Sequence, residues 1–462
     1  MTDDDAHKGE SLFLRYLQTL KPDERQRLFA TPASAFFIFR MLPSHAQTTI
    51  VKMIWDKKLY SGLTKEGHEV VRQQIGLLSR CGLVEETNSK PRLLKAFRDA
   101  YLKASVLGAY GCAGLRAVSE GDEKKAKKDI TKNSTERWEL VLRYLAIPSD
   151  QSLSTVAQKT KQLFKAAGFT TSCDGTPELT SAGFHFLLLS PVQQMWTYMI
   201  EYFKFERHGT NDVVEVLDLF IRIVLCVESK IDLEIGGRPF YLEDSWTERQ
   251  LEIVMHLREI GLVYIRKRKD GHFYLSPLLC NLTIPSDDID ASMQRREGCL
   301  VVETNYRVYA YTASSLQLAI LSTFTEFLYR FPNMCVGVLT RDSVRKALQV
   351  GITAQQIVSY LRMNAHRQSL SRFGPILCVP ITVAEQIQLW EEERKRLTYQ
   401  DVVLYTGFES AREYDGVKQY AEENQILLHS DGSHNRMSVV VSEEGHEKVR
   451  EWWRSTKHTF TQ

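Results

Sequence analysis

A chain of 462 residues with 43% hydrophobic and 25% charged content can build about three domains, which excludes wholesale disorder. A net charge of +2 excludes a global electrostatic pull toward nucleic acid or membrane, so any basic patch must be local. The acidic start MTDDDAHKGE is unlike a secretory signal, and no apolar run approaches bilayer-spanning length. Eight scattered cysteines form no CxxC pair, against a zinc module or disulfide framework. A soluble intracellular chain with reduced thiols is expected.

A local pattern recurs along the chain: an amphipathic helix stopped by glycine, a short apolar strand, a polar turn, then a second strand or helix. This is the pattern of a winged helix. In residues 1–120, Val71, Ile75 and Leu78 share a helical face, and Gly82 closes the helix before Leu83-Val84-Glu85. Residues 121–135, polar and lysine-rich, read as a solvated linker. In residues 136–210, Val156, Thr160, Leu163 and Ala167 keep helical spacing up to Gly168, a Cys173-Asp174-Gly175 turn follows, and Thr180 to Gly183 open a helix reaching Leu189. Residues 211–284 carry the clearest copy. There Ile253, Leu257 and Ile260 form the stripe, Gly261 the cap, and residues 262–267 pair with 272–275 across Lys269-Asp270-Gly271.

After a linker at 285–298, residues 299–380 begin with a hairpin, Leu300 to Glu303 and Tyr306 to Tyr311 around Thr304-Asn305. Tyr309 and Tyr311 share a face, with Arg307 beside them. Two readings stay open: a docking surface, since tyrosine and arginine dominate binding hot spots, or tyrosines packed under the domain's own helix. Leu316, Ala319, Ile320, Thr323, Phe324, Phe327 and Leu328 then predict one helix running to Phe331-Pro332. Thr340 caps a helix over 344–348, and Thr353 with Gln356 makes a capping box for 357–363. Residues 381–400 read as a helical connector. Residues 401–462 read as a small α-β-β-α unit, too small to stand alone, whose Met437 to Val441 strand is a candidate pairing edge.

No phosphate loop, HExxH, GxSxG or GxGxxG motif is present, and His256 reads as a partly buried helix residue rather than a ligand. Arg266, Lys267, Arg268 and Lys269 sit in a predicted wing, where basic residues of DNA readers meet phosphates. The preceding helix carries Glu248, Glu252 and Glu259, which repel a major groove, so protein contact is favoured, with at most weak, grazing contact to double-stranded DNA. A winged-helix DNA-binding transcription regulator is the alternative.

The runs VVETNYRVYAYTASSLQLAILSTFTEFLYRFPN, GITAQQIVSYLR and ITVAEQIQLWEEERKRL resemble the subunit 4 family of general transcription factor IIH (TFIIH). So do RWELVLRYLAIPS, LTSAGFHFLLLSPVQQMWTYMIEYF and LREIGLVYIRKRK. The likeness spans nearly the whole chain beyond Ser11. It implies a nuclear, non-catalytic scaffold of the TFIIH core, without cofactor, acting in RNA polymerase II initiation and nucleotide excision repair. It also implies that residues 299–380 form a clutch anchoring the XPB helicase/translocase and stimulating its ATPase, with Glu303, Arg307, Tyr309 and Tyr311 as contacts. It implies further that the C-terminal unit pairs with the smallest TFIIH subunit through Leu427, Met437, Val439 and Val441. The N-terminal region would contact the von Willebrand-like, zinc-binding subunit. The expected fold class is mainly α with small β-hairpins (α+β): tandem winged-helix domains, a hairpin-plus-helices clutch and a small α/β C-terminal dimerisation domain.

Overall fold

A computed structural model describes residues 11–55, 65–87, 90–118, 123–147, 156–171, 179–208, 212–227, 239–243, 245–266, 271–283, 298–396, 401–408, 410–432 and 437–460. The chain is mainly helical with four small antiparallel sheets among these residues, and divides into two compact units, Met1–Glu391 and Glu392–Gln462.

The first unit opens with four short helices, α1 (Leu12–Thr19), α2 (Pro22–Phe29), α3 (Pro32–Met41) and α4 (Ser44–Trp55). Prolines begin α2 and α3, where the missing amide proton costs nothing. Next come α5 (Lys65–Arg80), the hairpin β1 (Val84–Thr87) and β2 (Lys90–Leu93), and α6 (Lys95–Ala113). Then follow α7 (Glu123–Ala146), α8 (Gln158–Ala166), α9 (Ser181–Leu188), α10 (Pro191–His208) and α11 (Val213–Leu225). Gly82, Gly168 and Gly261 all have positive φ, 77°, 71° and 84°, so the three predicted helix stops use the backbone freedom that glycine supplies.

The lysine-rich run expected as a solvated loop is helical from Glu123 onward, the first turns of α7. Its alanine and lysines are good helix formers, and the apolar residues that anchor the helix, Trp138, Val141, Leu142 and Leu145, lie further along it.

Helix α11, VVEVLDLFIRIVL, is apolar around nearly its whole circumference and is surrounded accordingly. Ten of its residues are buried, and Phe220 meets Phe203 of α10 edge-on at 5.2 Å. Its polar residues each fasten a different neighbour. Asp218 accepts from Thr31 Oγ1 (2.9 Å) and Ser34 Oγ (3.2 Å) at the start of α3. Arg222 Nε donates to the Ala113 carbonyl at 2.6 Å, at the end of α6. Glu215 accepts from Thr247 Oγ1 at 2.6 Å, and the N-cap Asp212 pairs with Arg27 of α2.

Thr247 in turn caps α12 (Glu248–Glu259), which leads through Gly261 into a three-stranded sheet of β3 (Pro239–Tyr241), β4 (Val263–Tyr264) and β5 (His272–Leu275), in the order β3-β5-β4. The predicted pairing across Gly271 is present as Val263 with Leu275 and Tyr264 with Tyr274; β3 adds a strand to it.

A polar seam joins α8, α10 and α12. His256 is 2% exposed; its Nε2 lies 3.0 Å from Tyr198 Oη, its ring stacks on Tyr202 at 4.4 Å, and its Nδ1 is 3.7 Å from Glu259, too far for a hydrogen bond. Lys159 and Glu206 form an ion pair beside it. Burial depresses the His256 pKa, Lys159 acts in the same direction, and Glu259 and Glu206 oppose both.

The last part of the first unit is the hairpin module: β6 (Leu300–Val302), β7 (Arg307–Ala310), α13 (Ser315–Ser322), β8 (Glu326–Arg330), β9 (Cys335–Val338), α14 (Arg341–Gln349), α15 (Ala354–Met363), α16 (Arg367–Leu377) and most of α17 (Ile381–Lys395), whose last turn falls after Glu391. Thr340 and Thr353 cap α14 and α15 as expected. The single helix expected from Leu316 to Phe331 is not formed. It stops at Ser322, and Glu326–Arg330 is a strand paired with β9. The segment TFTEFLYRF is rich in β-branched and aromatic residues, and ladder bonds to β9 override a 3.6-residue spacing that the same side chains happen to satisfy.

The second unit contains β10 (Val402–Thr406), α18 (Ala411–Glu423), β11 (Leu427–Asp431), β12 (Ser438–Ser442) and α19 (Glu443–Phe460). Here the expectation that Met437 to Val441 forms a pairing edge is overturned: β12 is the central strand, with β10 on one side and β11 on the other. Val439 and Val441 lie in the unit's own core with Tyr414, Val417, Ala421 and Val449.

Two predictions follow from the core. Phe220→Ala leaves a cavity at the hub and should lower the stability of the first unit by about 3–5 kcal/mol in denaturant unfolding. For the seam, the sign is set by the depressed pKa of His256. The unfolded chain binds a proton that the folded one refuses, so its contribution is complete above about pH 6.5 and is lost as pH falls toward the folded value. Stability measured between pH 7 and pH 5, on the order of one titrating group, should slope less in His256→Gln than in the native chain.

Candidate protein-docking surfaces

The sheet of the hairpin module has the order β6-β7-β9-β8, and strand alternation gives its two faces different fates. Leu300, Val302, Val308, Ala310 and Cys335 are buried on the inner face. Arg307 and Tyr309 alternate with them and stand on the outer face, joined by Tyr311 just past the strand end. Cross-strand register sets Val301, Tyr309, Val336 and Tyr329 in one row and Arg307, Val338 and Glu326 in the next. Val336 is covered although it is on the outer face, and tyrosines flank it on both neighbouring strands. Tyr311 and Tyr329 remain 52% and 64% exposed. Neither Tyr309 nor Tyr311 is fully buried under the module's own helices, although the Tyr311 ring lies 5.8 Å from that of His366.

The turn that carries Glu303 is held by its own residues. The Tyr306 amide donates to the Glu303 carbonyl at 3.1 Å, the Glu303 amide to the Arg307 carbonyl at 3.0 Å, and Asn305 Oδ1 accepts from the Arg307 amide at 3.0 Å. Asn305 Nδ2 donates to Glu303 Oε2 at 3.1 Å, which fixes the carboxylate. Tyr306 has φ of 67°, the left-handed position that a bulged hairpin usually gives to glycine. Its carbonyl accepts from the Leu339 amide at 2.9 Å and its ring meets Trp390 of α17 at 6.1 Å, contacts that offset the strain. Gly337 is required on the inner face, because a Cβ there would lie 2.5 Å from the Thr325 methyl and 3.0 Å from the Glu326 carbonyl oxygen. Arg307 is exposed, and among the described residues no carboxylate pairs with it.

Glu303, Arg307, Tyr309 and Tyr311 are therefore brought together on one preorganised surface. Tyr329 belongs to the same outer face, with the covered Val336 beneath it, and was missed because residues 326–330 read as helix; the β-rich composition of that run and the Phe331-Pro332-Asn333 turn were the available signals.

The second unit's four predicted residues divide. Leu427 and Met437 are half-buried, while Val439 and Val441 are core. The outer face belongs instead to alternate residues of β10 and β12: Leu404, 58% exposed, lies opposite Val440, with Val402 beside it. Strand β10 was missed because VVLYT has too few residues to show its alternation beside a charged connector.

Of the basic wing, Arg266 is exposed; Lys267, Arg268 and Lys269 lie outside the described residues. Glu248, Glu252 and Glu259 all lie on the exposed face of α12, as the repulsion argument requires. Among the described residues no group of three or more His, Cys, Asp and Glu is placed to hold a metal ion, and no helix is long and apolar enough to cross a membrane.

Each unit carries a small sheet with exposed side chains on its outer face, aromatic in the first and aliphatic in the second, which makes the chain a candidate of the protein-docking class. Family models place it further: transcription factor Tfb2 matches residues 15–367, and the transcription factor Tfb2 (p52) C-terminal domain matches residues 385–454. The chain belongs to the Tfb2 family, the TFIIH subunit 4 family that its sequence resembles. It is 31% identical over 454 residues to the general transcription and DNA repair factor IIH subunit TFB2 of Yarrowia lipolytica, with 90% of each chain covered. It is 34% identical over 347 residues to the general transcription factor IIH subunit 4 of Dictyostelium discoideum, covering 72% of this chain and 68% of that one. The Saccharomyces cerevisiae TFB2 subunit is 26% identical over 514 residues, covering 94% and 96%.

Proposed function

We propose that this chain is a non-catalytic scaffold subunit of the TFIIH core in the nucleus, serving RNA polymerase II initiation and nucleotide excision repair, and that it anchors the XPB translocase and stimulates its ATPase. The observation that carries this reading is the outer face of the β6-β7-β9-β8 sheet. Tyrosine supplies large contact area at low entropic cost and arginine a planar charged fork, and strand pairing fixes the backbone that bears them before any partner arrives. A motor whose anchor is rigid transmits its stroke to DNA rather than to its own mounting.

The smallest TFIIH subunit is assigned to the second unit, whose exposed Val402 and Leu404, half-buried Val440 and outermost strands β10 and β11 suit an added strand or apolar cover. The von Willebrand-like, zinc-binding subunit is assigned to the N-terminal helices, where Val51 and Trp55 of α4 are exposed one turn apart. A DNA-binding regulator fits less well, because the glutamates of α12 face outward where a major groove would lie.

Arg307→Glu should reduce co-purification of XPB by about tenfold or more and depress DNA-stimulated ATPase, with the circular dichroism spectrum unchanged. Intact association and ATPase in a folded variant would remove the assignment. Leu404→Asp should release the smallest subunit while XPB remains bound; retention of the small subunit, or loss of both partners together, would contradict the division of surfaces.

A further inference from the structure

Between Ser343 and Ala384 the chain contains no aspartate or glutamate and five cations, Arg345, Lys346, Arg362, Arg367 and Arg372, although acids number 57 in 462 residues overall. Within that run lies a projecting elbow. Gly374, with φ of 77° and ψ of 174°, breaks α16, and Pro375 follows it. Phe373, Ile376, Leu377 and Ile381 are all exposed, at 50% for Phe373 and 66% for Ile376.

Apolar exposure of this extent over nine consecutive positions is not fraying, because both sides of the elbow are anchored. Ser369 is buried before the break, and Cys378, Val379 and Val383 are buried after it. The Cys378 amide donates to the Gly374 carbonyl at 3.1 Å and its Sγ to the Pro375 carbonyl at 3.2 Å, closing the bend. Arg367 and Arg372 are exposed on the same segment, without a carboxylate partner among the described residues, and the Arg372 guanidinium lies 5.2 Å from the Phe373 ring centre.

We infer that this elbow is a docking site for an acidic peptide segment carrying large apolar side chains. Charge complementarity selects the acidic partner, since nothing within the run neutralises its arginines. The four exposed apolar side chains select a peptide over a nucleic acid backbone, which offers them nothing to bury. An ordered, prebent site lowers the entropic cost of capturing a flexible segment. The elbow lies largely in the same 299–380 region but uses none of the four residues named as XPB contacts, Glu303, Arg307, Tyr309 and Tyr311, so either assignment can fail alone.

The test uses the full chain and fluorescence anisotropy with a labelled synthetic peptide in which Asp and Glu alternate with Phe, Leu and Trp. Its Asn/Gln counterpart, a DNA duplex and phosphatidylserine vesicles are run in parallel. The acidic peptide should bind, weaken with added salt, and exceed the uncharged counterpart by about tenfold. Arg367→Glu with Arg372→Glu, and separately Phe373→Ser with Ile376→Ser, should each reduce affinity by about tenfold. Arg98→Glu with Lys103→Glu, the same charge change on α6, should leave it unaltered. Arg367→Gln with Arg372→Gln reads the same site should charge reversal disturb folding. Absence of binding, equal binding by the elbow variants, equal loss from the α6 pair, or tighter binding of duplex or vesicles would each overturn the inference. Arg307→Glu should bind the peptide normally, which separates this result from the XPB assignment.

Discussion

A helix that is apolar on nearly every side can exist in water only if other elements enclose it, and α11 imposes that requirement on the first unit. Its enclosure is also directional. Asp218, Arg222, Glu215 and Asp212 reach respectively the start of α3, the end of α6, the cap of α12 and the side of α2. Apolar burial supplies the non-directional attraction, and these four polar ties determine which neighbour occupies which side. Phe220 and Phe203 then pass the packing on to α10, whose Tyr198 and Tyr202 enclose the buried histidine.

Small sheets divide burial differently from such a helix. In a strand, successive residues are committed to opposite faces, so one short segment serves core and surface together. Val308 and Ala310 fasten β7 to the body while Arg307 and Tyr309 face away from it, and β12 does the same with Val439 and Val441 inward and Val440 outward. This economy lets each unit, taken by itself, devote one short strand to core and outer face at once.

The legible parts of the sequence were those fixed by local chemistry. Gly82, Gly168 and Gly261 marked helix ends because each needs a left-handed backbone, and the threonine caps of α14 and α15 followed from hydrogen bonds made within four residues. Non-local pairing was not legible. Residues 326–330 satisfy helical spacing by coincidence, and only the presence of β9 across the turn makes them a strand. The same limit misplaced β12: its apolar run was visible, but its two flanking strands, which turn an apparent edge into a centre, were not both visible. Among the candidate surface residues, the placement of those around the hairpin turn was legible because turn and alternation are local, whereas Tyr329, Val336 and Leu404 join the outer faces only through register.

The left-handed Tyr306 has a kinetic consequence. A tyrosine in that conformation has few alternative states once Leu339 and Trp390 hold its carbonyl and ring, so the loop bearing Glu303 loses its conformational freedom during folding rather than at encounter. Preorganisation of this kind affects chiefly how long a complex lasts. The turn thus offers any partner a surface whose backbone is already ordered before contact.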